Sequence, residues 1–406
     1  MKLLRDRRFA ALLVAEVISS TGTQMTWLAL PWFVLRTTGS PQRMTWVIIA
    51  EVLPVAVLGF WGGAIAGRVG TRRTMLTCDL ARVPLFAAIP ALHAAGALPF
   101  PALLALVAVS GAFLAPYFSV QRAVIPELVG EDQATVAQAA ALSQAANRTT
   151  IFVGPPLAGV LIGLMGTANV IYVDAATYLA SFLLVALFVR LPEVAMEGSP
   201  TGVLDGVRFM TRDKLLRIWT PAFTVLDICW MLLFTSLPVL VVTSYHADPR
   251  VLGWLFGAMG GGALVGALVS MTVVRKVEAL TLGAAAFTLE MAALWVLAIP
   301  APWEVAFTGM ALAGFFTSLV NTPVHALITL RIPREIRTQA LASFGVFQCI
   351  GAPIGLLIAG PALAHYDTHS VLAAVLGLMT VAAATFIAAA LAERSSLRAA
   401  LVDSAA

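Results

Sequence analysis

Residues 216–243 read LRIWTPAFTVLDICWMLLFTSLPVLVVT, a run in which only Arg217 and Asp227 carry charge. An α-helix rises 1.5 Å per residue, and a bilayer core near 30 Å thick takes about 20 apolar helical residues to cross. The run is long enough to span a membrane and too apolar to rest in water. Eleven more such runs emerge on working outward to charges, Gly or Pro. They cover approximately 9–35, 44–67, 74–95, 98–121, 137–165 and 169–189 before it, and 251–274, 279–299, 303–329, 338–363 and 370–392 after it. Lipid offers no partner to backbone N–H and C=O groups, and no strand-like alternation suited to a barrel occurs, so these runs are read as helices. The expectation is an all-α integral membrane protein with twelve transmembrane helices. The first run follows Lys2, Arg5, Arg7 and Arg8 but is too long for a signal peptide.

Composition agrees. Of the 406 residues, 60% are hydrophobic and 11% charged, against about a quarter charged in a soluble domain. The mean hydropathy of +0.92 shows that the apolar excess is spread along the whole chain. A net charge of +4 could suggest nucleic acid, but the basic residues fall in short clusters between apolar runs, which excludes that partner. Cys78, Cys229 and Cys349 lie far apart inside apolar runs, with neither disulfide nor metal spacing. His365, Asp367 and His369 gather in the last loop, too few and too loosely placed for zinc. No Walker loop, complete zinc motif or G-x-S-x-G elbow occurs, so no metal, cofactor or enzymatic activity is expected.

Orientation follows from the loops. If the N-terminus is inside, all of the 25 Lys and Arg residues fall in inner segments except Arg36, Arg43 and Arg250 outside and Arg82 and Arg148 within the membrane. Positive charge stays on the cytoplasmic side. Both termini are therefore expected in the cytoplasm, with the protein multi-pass in a bacterial inner membrane.

The longest polar stretch divides the runs six and six. The expected organisation is an N-terminal bundle over 1–190, a cytoplasmic linker over 191–215 and a C-terminal bundle over 216–406. Within the linker, Val203, Val207 and Met210 recur at helical spacing beside Arg208, Arg212 and Lys214, the pattern of a short helix on the membrane surface. The halves echo each other. Residues 116–126 (PYFSVQRAVIP) and 323–333 (PVHALITLRIP) share their proline spacing, and Gly154-Pro155-Pro156-Leu157-Ala158-Gly159 parallels Gly351-Ala352-Pro353-Ile354-Gly355. Two six-helix pseudo-repeats are the architecture in which one half rocks against the other around a midplane site.

With these features the chain resembles the major facilitator superfamily, and more narrowly its twelve-helix exporters of the macrolide-efflux and enterobactin-exporter kind. The likeness covers nearly the whole length. Gly63-Ala-Ile-Ala-Gly67-Arg68-Val-Gly70-Thr71-Arg72-Arg73 is similar to the family's G-x-x-x-D-R-x-G-R-R/K loop, with Gly67 standing where the family has its latch aspartate and Thr71 where a basic residue is common. Gly154-Pro155-x-x-x-Gly159 is similar to the antiporter signature. There the prolines remove backbone donors and the glycines permit close helix contact. Arg122-Ala-Val-Ile-Pro126-Glu127-Leu and Asp79-Leu-Ala-Arg82 are further likenesses, the second an i, i+3 ion pair of structural character near the inner end of its run.

An ionisable group in the hydrocarbon region costs several kcal/mol unless paired or wetted, so each is a candidate for function. These are Glu16, Glu51, Arg148, Asp174, Asp227 and Glu290. Glu16 shares a helical face with Ser20, Thr23, Gln24 and Trp27, a polar stripe for which Arg148 is the expected partner. The resemblance implies that the first, fourth, seventh and tenth helices line the central cavity. Asp227, with Phe223, Trp230 and Phe234 on or near one face, is the first choice for binding a proton or a cation, since aromatic rings beside a carboxylate suit a lipophilic cation. Phe315, Phe316 and Asn321 add to the cavity or simply pack. Glu290 belongs to a run that the resemblance places at the periphery. Glu51 and Asp174 are expected near the outer surface, where pairing or snorkelling satisfies them.

The resulting expectation is a monomeric secondary transporter that takes a small-molecule substrate and protons. It is a proton-coupled, multidrug-type exporter of lipophilic or cationic molecules, driven by the proton gradient. The alternative is an exporter of a siderophore, lipid or other endogenous metabolite.

Overall fold

Each apolar run is a helix. The computed structural model describes residues 3, 6–130, 132–189, 203–273, 277–332 and 337–392, and within them every side chain except those of 59–67, 122–123, 133–134, 137, 148, 203–207, 279, 322–323, 325–326, 329–330 and 337–350. The order is α1 (Arg7–Thr38), α2 (Pro41–Val69), α3 (Thr71–Ala94), α4 (Phe100–Val129), α5 (Gln133–Met165), α6 (Thr167–Phe188), the short α7 (Val203–Arg212), α8 (Leu216–Thr243), α9 (Pro249–Val273), α10 (Ala279–Leu294), α11 (Trp303–Arg331), α12 (Arg337–His365) and α13 (Thr368–Ala392). A 3₁₀ turn, Trp295–Ala298, continues α10.

The helices outrun the apolar stretches because their ends are capped. Asp6 accepts from the Arg8 amide at 2.8 Å at the start of α1, and Asp132 accepts from the Thr135 amide at 2.9 Å and its hydroxyl at 2.6 Å at the start of α5. The Thr135 hydroxyl, and then its amide, hold the Asp132 carboxyl below its usual range. Among the described residues, ten of the long helices hold a stretch long and apolar enough to cross a membrane. In α1 the polar residues Glu16, Ser19, Ser20, Thr23, Gln24 and Thr26 interrupt the apolar sequence, and α12 is uniformly apolar only over Gly351–His365.

The chain divides into two compact units: Met1–Ser199 with Asp248–Gly253, and Pro200–Ala247 with Trp254–Ala406. In the first, α1 packs on α5 and α6, α3 on α4 and α6, and α2 on α4. In the second, α8 packs on α12 and α13, and α10 on α11 and α13, while Ser318 of α11 donates to the Ala263 carbonyl of α9 at 2.7 Å. Both units therefore pair the same members of a six-helix set. The first has an apolar core around Phe9, Leu12, Met75, Tyr117, Val120 and Val185. The second is built on Phe386 of α13. It stacks on Trp219 with ring centroids 4.0 Å apart, takes the Trp219 indole N–H on its carbonyl at 3.2 Å, and meets Phe223 and Phe287 edge-on.

The linker helix expected around Val203, Val207 and Met210 is α7, which packs against α12 and α8. Met210 is buried while Arg208 and Arg212 are exposed, and the side chains of Val203 and Val207 lie outside the described residues. Just beyond it, Asp213 caps α8 by accepting from the Leu215 and Leu216 amides at 3.0 and 2.9 Å.

Every joint from α1 to α6 carries a glycine with positive φ: Gly39, Gly70, Gly96, Gly130 and Gly166. At Gly70, φ is 89° and ψ 144°, a region that is nearly closed to residues with a Cβ. A Cβ there would have nothing within 4 Å, so backbone strain alone would be tested. Gly70→Ala is expected to lower stability by about 1–3 kcal/mol, read as an earlier unfolding midpoint in detergent. An unchanged midpoint would mean that the joint does not need its left-handed geometry.

Candidate functional site

In the first unit, α1 brings Glu16 to α5, where the Ser143 hydroxyl donates to its Oε2 at 2.7 Å. Gln121 of α4 also faces it. Glu16 is 4% exposed and its Oε1 is buried without a hydrogen-bond partner among the described residues. The expected pairing with Arg148 involves a side chain outside the described residues. The polar stripe of α1 is split between two neighbours. Gln24 lies where a Cβ on Gly154 of α5 would strike it, whereas Thr23 bonds the Tyr178 hydroxyl of α6 at 3.0 Å. Ser20 is half-buried and Trp27 exposed.

A second polar centre joins α2, α3, α4 and α6. Arg82 and Asp79 form their i, i+3 pair at 2.9 Å, both buried. Ser181 donates to Asp79 Oδ2 at 2.7 Å. The Arg82 guanidinium lies 3.9 Å from the ring centre of Tyr178 and 5.0 Å from that of Tyr117, distances at which a cation is attracted to the ring faces. Glu51 and Asp174 belong to the same centre. Their exposures are 7% and 0%, so of the two expected ways of satisfying them, pairing or snorkelling, burial leaves no room for the second. The reason is packing: a Cβ on Gly111 would collide with the backbone of Glu51, and one on Gly22 would collide with Asp174 and Thr177. Two glycines thus draw α4 onto α2 and α1 onto α6 and seal both carboxylates inside.

In the second unit, Asp227 sits midway along α8 against α12, where a Cβ on Gly351 would lie 2.9 Å from its own Cβ. Its Oδ2 is buried without a partner among the described residues. Trp230 and Phe234 follow at 5.2 Å between ring centroids, and Phe234 meets Phe256 of α9 at 5.6 Å. Phe223 packs on Phe386 of α13 at 5.2 Å between ring centroids. Phe256 had not been singled out from the sequence. Phe315 and Phe316 are edge-to-face at 5.2 Å, the Phe315 backbone presses on Gly266 of α9, and Asn321 is exposed. Glu290 is buried between α10 and α11 and accepts from the Thr317 hydroxyl at 2.6 Å.

The loop motif is anchored within the first unit. Arg72 donates to the carbonyls of Val189 and, at 2.8 Å, Ala186, at the end of α6. Thr71, standing where the family often has a basic residue, donates to Glu127 of α4 at 2.7 Å. Arg68 is exposed, and the side chains of 59–67, which include Gly63 and Gly67, lie outside the described residues. In α5, Gly159 touches Gly253 and Pro155 gives its carbonyl the same neighbour. Residues 248–253 cluster with this unit. The sequence reading missed the ion pair of Arg331 with Asp213, whose Nε lies 2.9 Å from both carboxylate oxygens, because a pair so distant in sequence has no local signal. His365 and His369 direct their Nδ1 atoms to the carbonyls of Pro361 and Leu297.

Chemically, Glu16, Asp174 and Asp227, each with a buried oxygen that has no partner among the described residues, are groups that can gain a proton or a cation, and the rings near Asp227 offer faces to a lipophilic cation.

A family model described as "Transmembrane secretion effector" matches residues 2–405. The multidrug efflux pump Tap of Mycolicibacterium fortuitum is 28% identical over 371 residues, 86% of this chain and 88% of that protein. The uncharacterized MFS-type transporter YvqJ of Bacillus subtilis is 24% identical, covering 96% of this chain and 95% of its own length. Among solved structures, the nucleoside transporter NupG superposes with a TM-score of 0.74 at 13% identity, over 94% of this chain and 98% of that one. A bacterial homologue of the human lysosomal transporter Spinster gives 0.71 at 13%, over 96% and 97%. At such identity these structures speak to the fold alone.

Removing one partner of a buried ion pair leaves the other charge uncompensated, at about 3–5 kcal/mol. Asp79→Asn is therefore expected to destabilise the protein by that order, read from its unfolding midpoint in detergent. A midpoint equal to wild type would show that Arg82 has another anion ready to replace Asp79.

Proposed function

The chain belongs to the transmembrane secretion effector family of MFS transporters, and we propose that it is a proton-coupled exporter of lipophilic or cationic small molecules, multidrug in character. It is a multi-pass membrane protein. We place it in a bacterial inner membrane as a monomer with both termini cytoplasmic, a reading supported by the concentration of Lys and Arg in the inner loops. Transport runs by alternating access on the energy of the proton gradient.

The observation that carries this reading is Asp227. Its carboxylate holds one buried oxygen without a partner among the described residues, close along α8 to the Trp230–Phe234–Phe256 group. An ionised carboxylate attracts a cation, and a protonated one does not. Proton and cationic substrate then compete for the same oxygen, and competition alone makes their movements opposite in direction. Glu16, with Oε1 open in the same way, serves as a second exchange point. The efflux activity of the Tap relatives is consistent with this direction.

Ethidium, a lipophilic cation, is a suitable probe. Adding it to purified protein in weak buffer is expected to release protons, and Asp227→Asn is expected to abolish that release while Glu16→Gln reduces it. Unchanged release and pH-driven efflux in both variants would rule the coupling out.

The aromatic contribution is separable. A cation–π contact is worth up to about 2 kcal/mol when desolvated, roughly 30-fold in affinity. Trp230→Ala or Phe234→Ala should weaken ethidium binding by up to that factor and weaken a neutral substrate of similar size much less. Equal losses for both probes would assign these rings to packing.

A further inference from the structure

Arg82 faces three buried carboxylates, Asp79, Glu51 and Asp174, and is the one basic side chain among the described residues that acts on them. One guanidinium carries one positive charge. Asp79 has taken it, at 2.9 Å, and reinforces the bond through Ser181. Tyr178 and Tyr117 cover the guanidinium, and its Nε is buried without a partner among the described residues, so a single further N–H remains to serve two more carboxylates. Glu51 and Asp174 lie within electrostatic range of each other. Two more negative charges would stand here almost uncompensated, at several kcal/mol each in an apolar interior.

The hydrogen bonding of Asp174 shows where the compensation goes. Its Oδ1 accepts from the Thr177 hydroxyl at 3.1 Å. Its Oδ2 is completely buried and accepts from nothing among the described residues. The Thr26 hydroxyl of α1, on a side chain 1% exposed, faces Asp174, yet its oxygen is equally without a partner. A hydroxyl can donate or accept, so Thr26 can serve either form of Asp174; with Oδ2 protonated, the carboxyl donates to the Thr26 oxygen and both atoms are satisfied without adding a charge that Arg82 cannot compensate.

We propose that Glu51 and Asp174 form a proton-binding site inside the first bundle, both standing as carboxylic acids while Asp79 remains ionised against Arg82. The titratable groups that face the site are Glu51 of α2, Asp79 and Arg82 of α3, Tyr117 of α4, and Asp174 and Tyr178 of α6; α1 contributes the hydroxyls of Thr23 and Thr26. The site is distinct from Glu16 and Asp227 and does not rest on the transport reading.

Infrared spectroscopy of the purified full-length protein tests this through the C=O stretch of protonated carboxyl groups. At neutral pH, Asp174→Asn and Glu51→Gln are each expected to lose one such band. Thr26→Val, which removes only the acceptor, is expected to move one band to higher frequency without abolishing it, and it keeps the test decisive should a carboxyl variant fail to fold. Unchanged bands in the two carboxyl variants, or an unmoved band in Thr26→Val, would overturn the proposal. So would a wild-type melting temperature that rises in sodium chloride over choline chloride, with the rise lost in Asp174→Asn. That result would assign the site to a sodium-class cation.

Discussion

A charge enclosed among apolar helices must be answered by something within a few ångströms, because no water is there to answer it. This constraint orders the polar interior of the chain more than any hydrophobic contact does. The Asp79–Arg82 pair is one response, closed on both sides by Ser181 and two tyrosine rings. Glu290 shows a thinner one among the described residues, the hydroxyl of Thr317. Asp227 and Glu16 retain an oxygen without any among the described residues. The gradation runs from a carboxylate held in an ion pair to oxygens with no partner among the described residues.

Close approach of helices is what makes such enclosure possible. Glycine does this repeatedly: Gly22 admits α6 to α1, Gly111 admits α2 to α4, and Gly262, Gly266 and Gly314 bring α9 onto α11 backbone to backbone. The two signature-like segments use one device. Gly154 in α5 presses on Gln24 of α1, and Gly351 in α12 presses on Asp227 of α8. In each unit the glycine belongs to the fifth long helix and its target to the first. The repeat hinted at by proline and glycine spacing thus extends to which side chain is pinned, with an amide in one unit and a carboxylate in the other.

Much of this was legible in the sequence, and the limits are physical. Helix number and position follow from apolar runs set against bilayer thickness, and every one of the twelve runs is a helix. Burial depth along a helix can likewise be counted. Azimuth can be counted too, but the neighbour that occupies a given azimuth cannot, and this is where the reading failed. Thr23 and Gln24 are adjacent in sequence and were placed on one face, yet they serve α6 and α5 respectively. Phe223 turned to α13. For Glu51 and Asp174 the sequence left pairing and snorkelling open, because the glycines that enclose them, Gly111 and Gly22, lie on other helices far away in the chain. The Asp213–Arg331 pair spans a still longer separation, and no local pattern announces it.

The comparison between units carries the argument one step further. Arg82 and Glu290 each lie eleven residues past the first residue of their helix, Thr71 in α3 and Ala279 in α10, and those helices make equivalent contacts in their own units. At matching places on a repeated scaffold, then, one unit has a guanidinium enclosed by carboxylates and rings, while the other has a carboxylate and one threonine. An arginine cannot lose its charge at any accessible pH, so the first arrangement is permanently polar and requires anions around it. A lone carboxylate has the option of becoming neutral. Repetition of the fold without repetition of this chemistry confines the permanent ion pair to α3 of the first unit, and leaves carboxylates that have the option of becoming neutral on α2 and α6 around it and on α8 and α10 of the second.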